Sequence, residues 1–339
     1  VRNWEVWLPW RVATERALYA DNGFYRSESP AAHFRTSVHA SPRFAGALLV
    51  LLGEIDVALG HPDELDIVDM GSGRGELLCQ LVALAPEDLA ARLRPVAVEL
   101  RPRPPELPGA VEWRATLPET VTGLVIANEW LDNVPVDVAE WTHQGFRLVH
   151  VDPETGEEQL GGPPGPEDRA WLDRWWPLSS VVDRAEIGRP RDEAWADLAR
   201  RVRRGVALAV DYGHTLSDRP PGGTLTGYRQ GRSVVPIPDG SRDICAHVAF
   251  DACADAAFRA VPGEGRLTTQ REALRSLGIL GQRPPPSLSR TDPLGYLRLL
   301  RRAGEEGELI DPSGLGGFTW LIHAVDVYPI PFENAIITG

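Results

Sequence analysis

The chain contains no lysine: all 35 basic residues among its 339 are arginine. That absence removes a Schiff-base lysine and the lysine of a phosphate-binding P-loop from consideration. GC-rich coding explains the bias more simply than guanidinium chemistry at many sites. Cysteine is scarce, with Cys79, Cys245 and Cys253 too few for a disulfide framework, so a reducing interior is expected. No apolar run approaches a membrane span. The opening "VRNWEVWLPWR" has Trp and Glu where a signal peptide carries a basic segment and an apolar core. A cytoplasmic location without membrane insertion is therefore expected. The net charge of -13 opposes nonspecific binding to nucleic acid and suits small molecules or basic protein partners.

The length allows two domains, or one α/β core with a large insertion. Residues 1–62 read as a mainly helical N-terminal cap. In "SPRFAGALLVLLGEIDVAL", Ser41 stands at a helix cap and Pro42 at the first helical position. The preceding "GFYRSESPAAHFRTS" is too rich in Gly, Ser and Pro to be regular. Strands and helices then alternate. "LDIVDM", "PVAVEL", "GLVIAN" and "GVALAVDYG" are short buried-strand runs, and "ELLCQLVALA" is a helix. "VPVDVAEWT" and "FRLVHVD" alternate as a strand pair, and "GGFTWLIHAVDVYP" ends in a final strand. The fold class is α/β, a Rossmann-like sheet with helices on both faces. Residues 63–151 form the first part of the core and 206–339 the second, with a lid-like loop at 214–243. Between them, 152–205 is an insertion. It comprises a solvated loop and two helices, "RAWLDRWWPLSSVVDRAEI" and "DEAWADLARRVRR", carrying Trp171, Trp175, Trp176 and Trp195. Those rings either pack the insertion or line a partner groove.

In such sheets the site lies beyond the carboxyl ends of the strands. The ends here are polar: Asp69, Glu99, Asn128 with Glu129, and Asp211. After the first of them comes "GSGRG", with Gly71, Ser72, Gly73 and Gly75. The spacing is G-x-G-x-G rather than the G-x-G-x-x-G of dinucleotide sites. Asp69 before the turn suits an ammonium group and not a pyrophosphate. Glu99, one strand on, can accept hydrogen bonds from both hydroxyls of a ribose, as acids at this place also do in nicotinamide sites. The helix beginning at Glu76 favours a ligand carboxylate. A ligand with a ribose, an amino group and no phosphate fits all of these, and S-adenosyl-L-methionine is such a ligand.

The chain resembles the MidA-like family of class I S-adenosylmethionine-dependent methyltransferases, related to a mitochondrial complex I assembly arginine methyltransferase. The resemblance rests on seven ordered blocks: "HFRTSVHASPRFA", "VDMGSGRGELL", "IANEWLDNVPVD", "VALAVDYG", "GTLTGYRQGR", "DICAHVAF" and "TQREALRSLGI". It implies the class I methyltransferase sheet and a bacterial protein-methylating enzyme. It also implies an N-terminal segment that closes over the cofactor and brings in Phe34, Thr36 and Ser37. Two places depart from the pattern. "LRPRPPELPG" replaces a helix that bears Arg and Gln in relatives, and Ala249 stands where relatives tend to place Asp.

For the methyl acceptor, "ANEWLDNVPVDVAEW" offers Asn128, Glu129, Asp132, Asp137 and Glu140. An arginine is a planar cation with forked donors that carboxylates bind bidentately. The "NEWLDN" start resembles the acidic hairpin of protein arginine methyltransferases, with Glu129 the first candidate, Asp132 its local partner and Glu140 a poorer one. Asp211 either orients substrate or supports the fold. Tyr212, Tyr228 and Arg229 are open between closing over the site and packing. His247 titrates near neutrality and is a candidate proton acceptor. Cys245, His247 and Cys253 fit no zinc spacing, and no metal is expected. The expected partner is a protein with an accessible arginine, a complex I subunit by resemblance, and a homodimer is compatible with the sequence. Two alternatives stand beside this reading: a small-molecule O- or N-methyltransferase, and a cofactor-binding assembly factor without turnover.

Overall fold

The structure, a computed structural model, describes residues 7–27, 36–178, 180 and 183–328. The chain divides into two compact units. One holds residues 35–128, 198–210 and 261–339; the other holds 1–34, 129–197 and 211–260.

The first of these is built on a seven-stranded mixed sheet. Its strands are β1 (Leu65–Met70), β2 (Leu93–Val98), β3 (Glu112–Arg114), β4 (Val121–Asn128), β5 (Val202–Asp211), β6 (Glu264–Thr269) and β7 (Thr319–Val325). Their order is β6-β7-β5-β4-β1-β2-β3. The five strands β3, β2, β1, β4 and β5 pair in parallel, whereas β6 and β7 pair antiparallel. From β1 the chain runs outward through β2 and β3, then returns to the other side of β1 as β4. That reversal is the topological switch point where ligands bind in open α/β sheets.

Register brings the strand ends level. Met70 lies opposite Val98 and Ala127, and Asn128 opposite Val210. The runs read as buried strands are buried on both faces, as in Leu65, Ile67 and Val68 or Leu124 to Ala127.

Helix α1 (Pro42–Leu59) begins as the sequence implies. The Ser41 hydroxyl accepts from the Arg43 N–H at 3.1 Å, Pro42 opens the helix, and Gly60 closes it in the left-handed region. Phe44, Leu48, Leu51, Leu52 and Ile55 make its fully buried stripe, each worth about 1.5–3 kcal/mol by burial. Helix α2 (Glu76–Leu84) follows the glycine turn.

In the other unit, Asp137–Thr142 and Gly145–Val151 form the expected antiparallel pair. Leu8–Pro9 and Glu158–Leu160 add to the second strand and Arg184–Ile187 to the first. That last strand corrects the sequence reading, which ran a helix from Arg169 through Ile187. The helix, α3 (Pro166–Trp175), stops there. Pro177 disfavours a helical Trp176, which adopts φ -143° and ψ 66°. The second inserted helix, α4 (Arg189–Arg201), gives way to β5 directly.

Trp171 and Trp176 pack with Ala139, Phe146, Ala185 and Ile187, while Trp195 is fully buried. The tryptophans of the insertion are thus packing residues. Within 214–243, Thr226–Arg229 and Arg232–Val234 join Asp243–Cys245 in a small antiparallel sheet. Among the described residues, no helix is long and apolar enough to cross a membrane.

Candidate functional site

The cofactor side is assembled at the ends of β1 and β2. After Asp69 and Met70 the chain reverses through Gly71, Gly73 and Gly75, with φ of 69°, 63° and 81°. L-residues resist that left-handed region. At Gly75 space is also lacking, since a Cβ would stand 2.5 Å from Leu107 Cδ1. The N–H groups of Gly71 and Ser72 both donate to the Val98 carbonyl, which ties the turn to β2. Glu99 then reaches back: its Oε2 accepts from the Gly73 N–H at 3.0 Å and its Oε1 from the Arg101 N–H at 3.1 Å. Asp69 is buried, and its Oδ2 accepts from the Ser72 hydroxyl at 2.6 Å.

Burial pushes the Asp69 pKa up to about 7. Ser72 pulls it down, and the charges of Glu76 and Glu99 add to the rise. A buried acid in a negative field is suited to a ligand ammonium group, which would restore its ionised form. Asp69, Glu99 and the glycine cradle therefore fit an amino-acid-bearing nucleoside such as S-adenosyl-L-methionine.

The start of α2 differs from the expectation of a free carboxylate site. Glu76 Oε2 itself accepts from the Arg74 N–H at 2.8 Å, and Glu76 Oε1 lies 3.6 Å from His39 Nε2. His39 in turn shares a 2.7 Å hydrogen bond with Thr36, so Thr36 reaches the helix start through a relay. Ser37 is buried and donates to Gln270 Oε1 at 3.2 Å. Phe34 lies outside the described residues. Asn128 ends β4 half-buried. The shortened segment after Glu99 contains no helix. There the Arg103 guanidinium donates to the carbonyls of Leu107, Pro108 and Val111 and so holds Leu107 against the glycine turn.

The acidic turn begins at Glu129, the residue after β4, and belongs to the other unit. Glu129 is half-buried and has a φ of 51°. Such a conformation costs a non-glycine residue about 1–3 kcal/mol and persists only where neighbours over-determine it. The Asn133 side-chain amide donates to the Glu129 carbonyl at 3.3 Å and to Asp132 Oδ1 at 2.9 Å. Tyr19 donates to the Asn133 carbonyl and Tyr25 to Asn133 Oδ1, at 3.0 and 2.7 Å. Tyr25 is also 2.7 Å from Asp243 Oδ1.

Asp211 is fully buried and receives two backbone donors, Asp132 N–H at 3.1 Å and Tyr212 N–H at 2.9 Å. Burial raises its pKa to about 7 against the pull of those donors, and Glu129 adds to the rise. Burial, Asp211 and Asp243 push the Asp132 carboxyl well above its usual range. Glu129 is the acid of this turn that is not buried.

The remaining sequence candidates have other partners. Glu140 is ion-paired at 3.0 Å with Arg184, which also binds Glu158. Asp137 accepts from the Arg11 N–H at 3.0 Å. His247 stacks on Tyr212 with ring centroids 5.8 Å apart. Partial burial of the ring and the Arg191 charge lower its pKa, so it is neutral at pH 7. Cys245 is buried, and Cys253 donates to Asp192 at 3.3 Å. Among the described residues, no group of three or more metal-ligating side chains comes together. Ala249 is buried in the Trp171 and Trp176 cluster.

Sequence reasoning missed Arg191, Asn133, Tyr25 and Asp243. Asn133 lies inside the "NEWLDN" block, but no pattern marks Arg191 in "GRPRDEAW" as a buried guanidinium.

Residues 54–263 match the model of a family described as "Putative S-adenosyl-L-methionine-dependent methyltransferase". Two crystal structures of proteins from Burkholderia thailandensis are similar over nearly the whole chain. One is a "likely methyl transferase" bound to S-adenosyl-homocysteine; it is 24% identical, with a TM-score of 0.77, covering 95% of this chain and 88% of that one. The other, an uncharacterized protein of the same superfamily, is 25% identical with a TM-score of 0.79, covering 98% of this chain and 91% of that one. No curated protein matches the chain. With more than half of its length matched, the chain belongs to this MidA-like family of S-adenosyl-L-methionine-dependent methyltransferases.

Proposed function

We propose that the protein methylates an arginine side chain of a protein substrate, with a respiratory complex I subunit the target that the family resemblance favours. Bound, the cofactor supplies an electrophilic sulfonium methyl group and leaves as a thioether. Asp69 holds the ammonium group, Glu99 the ribose hydroxyls, and the turn from Gly71 to Gly75 admits the chain of the ligand.

The observation that carries the acceptor assignment is Glu129, held at a φ of 51° in an acidic turn directly after the strand end Asn128. Strain retained in a non-glycine residue at a strand end supports a functional reading of that position. A carboxylate there binds a guanidinium bidentately, desolvates it and holds one nitrogen as the nucleophile. When the nitrogen–methyl bond forms, the attacked nitrogen must lose a proton, and Glu129 is the acceptor within the same pair. A neutral hydroxyl acceptor could use the base but would gain nothing from the bidentate charge pairing.

The test is transfer of labelled methyl from S-adenosylmethionine to an extract of cells lacking the protein, followed by mass spectrometry of the labelled products. Label on arginine nitrogens supports the proposal. Label confined to small molecules, or to other residue types, removes it.

A further inference from the structure

Arg191 stands near the start of α4 and is 2% exposed. Its guanidinium donates to four backbone carbonyls. Nε reaches Val134 at 3.1 Å, one terminal nitrogen reaches Ala246 at 2.8 Å and His247 at 2.9 Å, and the other reaches Asp132 at 2.6 Å. Two of those carbonyls belong to the turn that follows Glu129, and two belong to the turn that presents His247. Asp132 is further joined to the second turn by its own carbonyl, which accepts from the Ala246 N–H at 3.4 Å.

We infer that Arg191 is a positioning residue: its planar fork locks the Glu129–Asn133 turn to the Ala246–His247 turn and so fixes the geometry of the acceptor-binding acids. The inference rests on the proposed acceptor role of Glu129 for its functional meaning, but the lock itself does not. A guanidinium presents several donors in one rigid plane, and a lysine ammonium cannot reach the same four oxygens at once. A buried guanidinium is also a poor way to gain stability, because its desolvation offsets much of what its bonds contribute. Hydrogen bonds to carbonyls of two separate turns instead specify where those turns lie. The charge has a second effect, since Arg191 favours the ionised forms of Asp132 and Asp211. The other ionisable groups around that pair are Glu129, Tyr212, Tyr228, Asp243, Cys245 and Tyr25.

The experiment compares the full-length protein with Arg191→Lys and Arg191→Met. Three readouts are taken: affinity for S-adenosylhomocysteine, titration of aspartate carboxyls by carbon-13 NMR, and methyl transfer to a synthetic arginine-containing peptide. Both variants should bind S-adenosylhomocysteine within about twofold of wild type. Arg191→Lys keeps the charge, so the Asp132 and Asp211 midpoints should stay in place. It loses the fork, so kcat/KM on the peptide should fall at least about tenfold. Arg191→Met loses the charge as well, and the midpoints should rise by about one pH unit or more. Unchanged kcat/KM in Arg191→Lys, or unchanged midpoints in Arg191→Met, would overturn the inference. If Arg191→Met does not fold, the lysine variant alone decides through kcat/KM. If wild type leaves the peptide unmethylated, kcat/KM is read on the acceptor labelled in the extract; if no arginine is labelled there either, the arginine reading fails and the midpoints decide Arg191 without any acceptor.

Discussion

The backbone N–H of Asp132 donates to the carboxylate of Asp211 at 3.1 Å, and the other carboxylate oxygen accepts from the Tyr212 N–H at 2.9 Å. One buried acid at the end of β5 thus anchors the acidic turn through its backbone, not through a second side chain. Asp211→Asn leaves one acceptor oxygen and turns an amide donor towards an N–H. The amide donor turned towards an N–H leaves a buried backbone donor unpaired and should cost about 1–3 kcal/mol. A thermal melt should show the drop, and methyl transfer should fall with it. An unaltered melting temperature would mean that Asp211 does not anchor the turn.

Glu129 tests the exchange of stability for function. Glycine adopts its φ of 51° without strain. Glu129→Gly should therefore keep the stability of the protein or raise it by up to about 1 kcal/mol, after allowing for the freer unfolded chain. Methyl transfer should be lost in the same variant. Destabilisation by Glu129→Gly comparable to that of a core deletion would show that the residue is structural.

Asp69 predicts how cofactor affinity depends on pH. Its carboxyl holds a proton up to about pH 7 in the free protein, because burial raises its pKa. In the unfolded chain the same group ionises near pH 4, so its ionisation opposes folding increasingly as pH rises from about 4 to 7. Binding an ammonium group reverses the preference and expels the proton. Affinity for S-adenosylhomocysteine should weaken about tenfold for each pH unit below 7. Calorimetry in buffers of different ionisation heat should detect about one proton released at pH 6. Affinity that does not change between pH 5 and 7 would remove Asp69 as the ammonium partner.

Glu99→Ala and Gly75→Ala probe the cradle from two directions. Glu99→Ala removes charged acceptors worth roughly 1.5–3 kcal/mol each, so affinity should fall at least about tenfold. Gly75→Ala places a Cβ 2.5 Å from Leu107 Cδ1 at a φ of 81°. Both variants should lower the melting temperature as well as the affinity, Glu99→Ala by unpairing the Gly73 and Arg101 N–H groups.

The candidate cofactor turn was readable as a turn because its signals are local. Asp69, the three alternate glycines and Glu99 each sit at the end of a continuous apolar run, and a parallel sheet must bring such ends level. Five of the seven strands stood out as apolar runs, whereas Glu112–Arg114 and Glu264–Thr269, short and largely polar, did not. The acidic turn proposed to hold the acceptor was only half readable. Glu129 and Asp132 stand out as acids in one short block, but what holds them comes from afar. Tyr25 lies 108 residues from Asn133, and Arg191 lies 59 residues from Asp132. Neither separation leaves a periodicity to detect. The edge strand Arg184–Ile187 was hidden for a related reason, because "DRAEI" alone has helix-forming residues and only the neighbouring strand draws it into a sheet. Glu140 shows the converse. The spacing already made it the poorer candidate for the guanidinium, and it is ion-paired across the sheet with Arg184.

The most direct measurement compares wild type with Glu129→Gln, using methyl transfer to the arginine acceptor found in the extract and S-adenosylhomocysteine affinity in parallel. The amide keeps the shape of the side chain but removes the charge and offers donors to a donor-rich guanidinium. Losing that pair should cost about 2–5 kcal/mol, a fall of roughly 30- to 5,000-fold in rate, with cofactor affinity within about twofold. Turnover that survives Glu129→Gln within about threefold would contradict the account and take Glu129 out of the reaction.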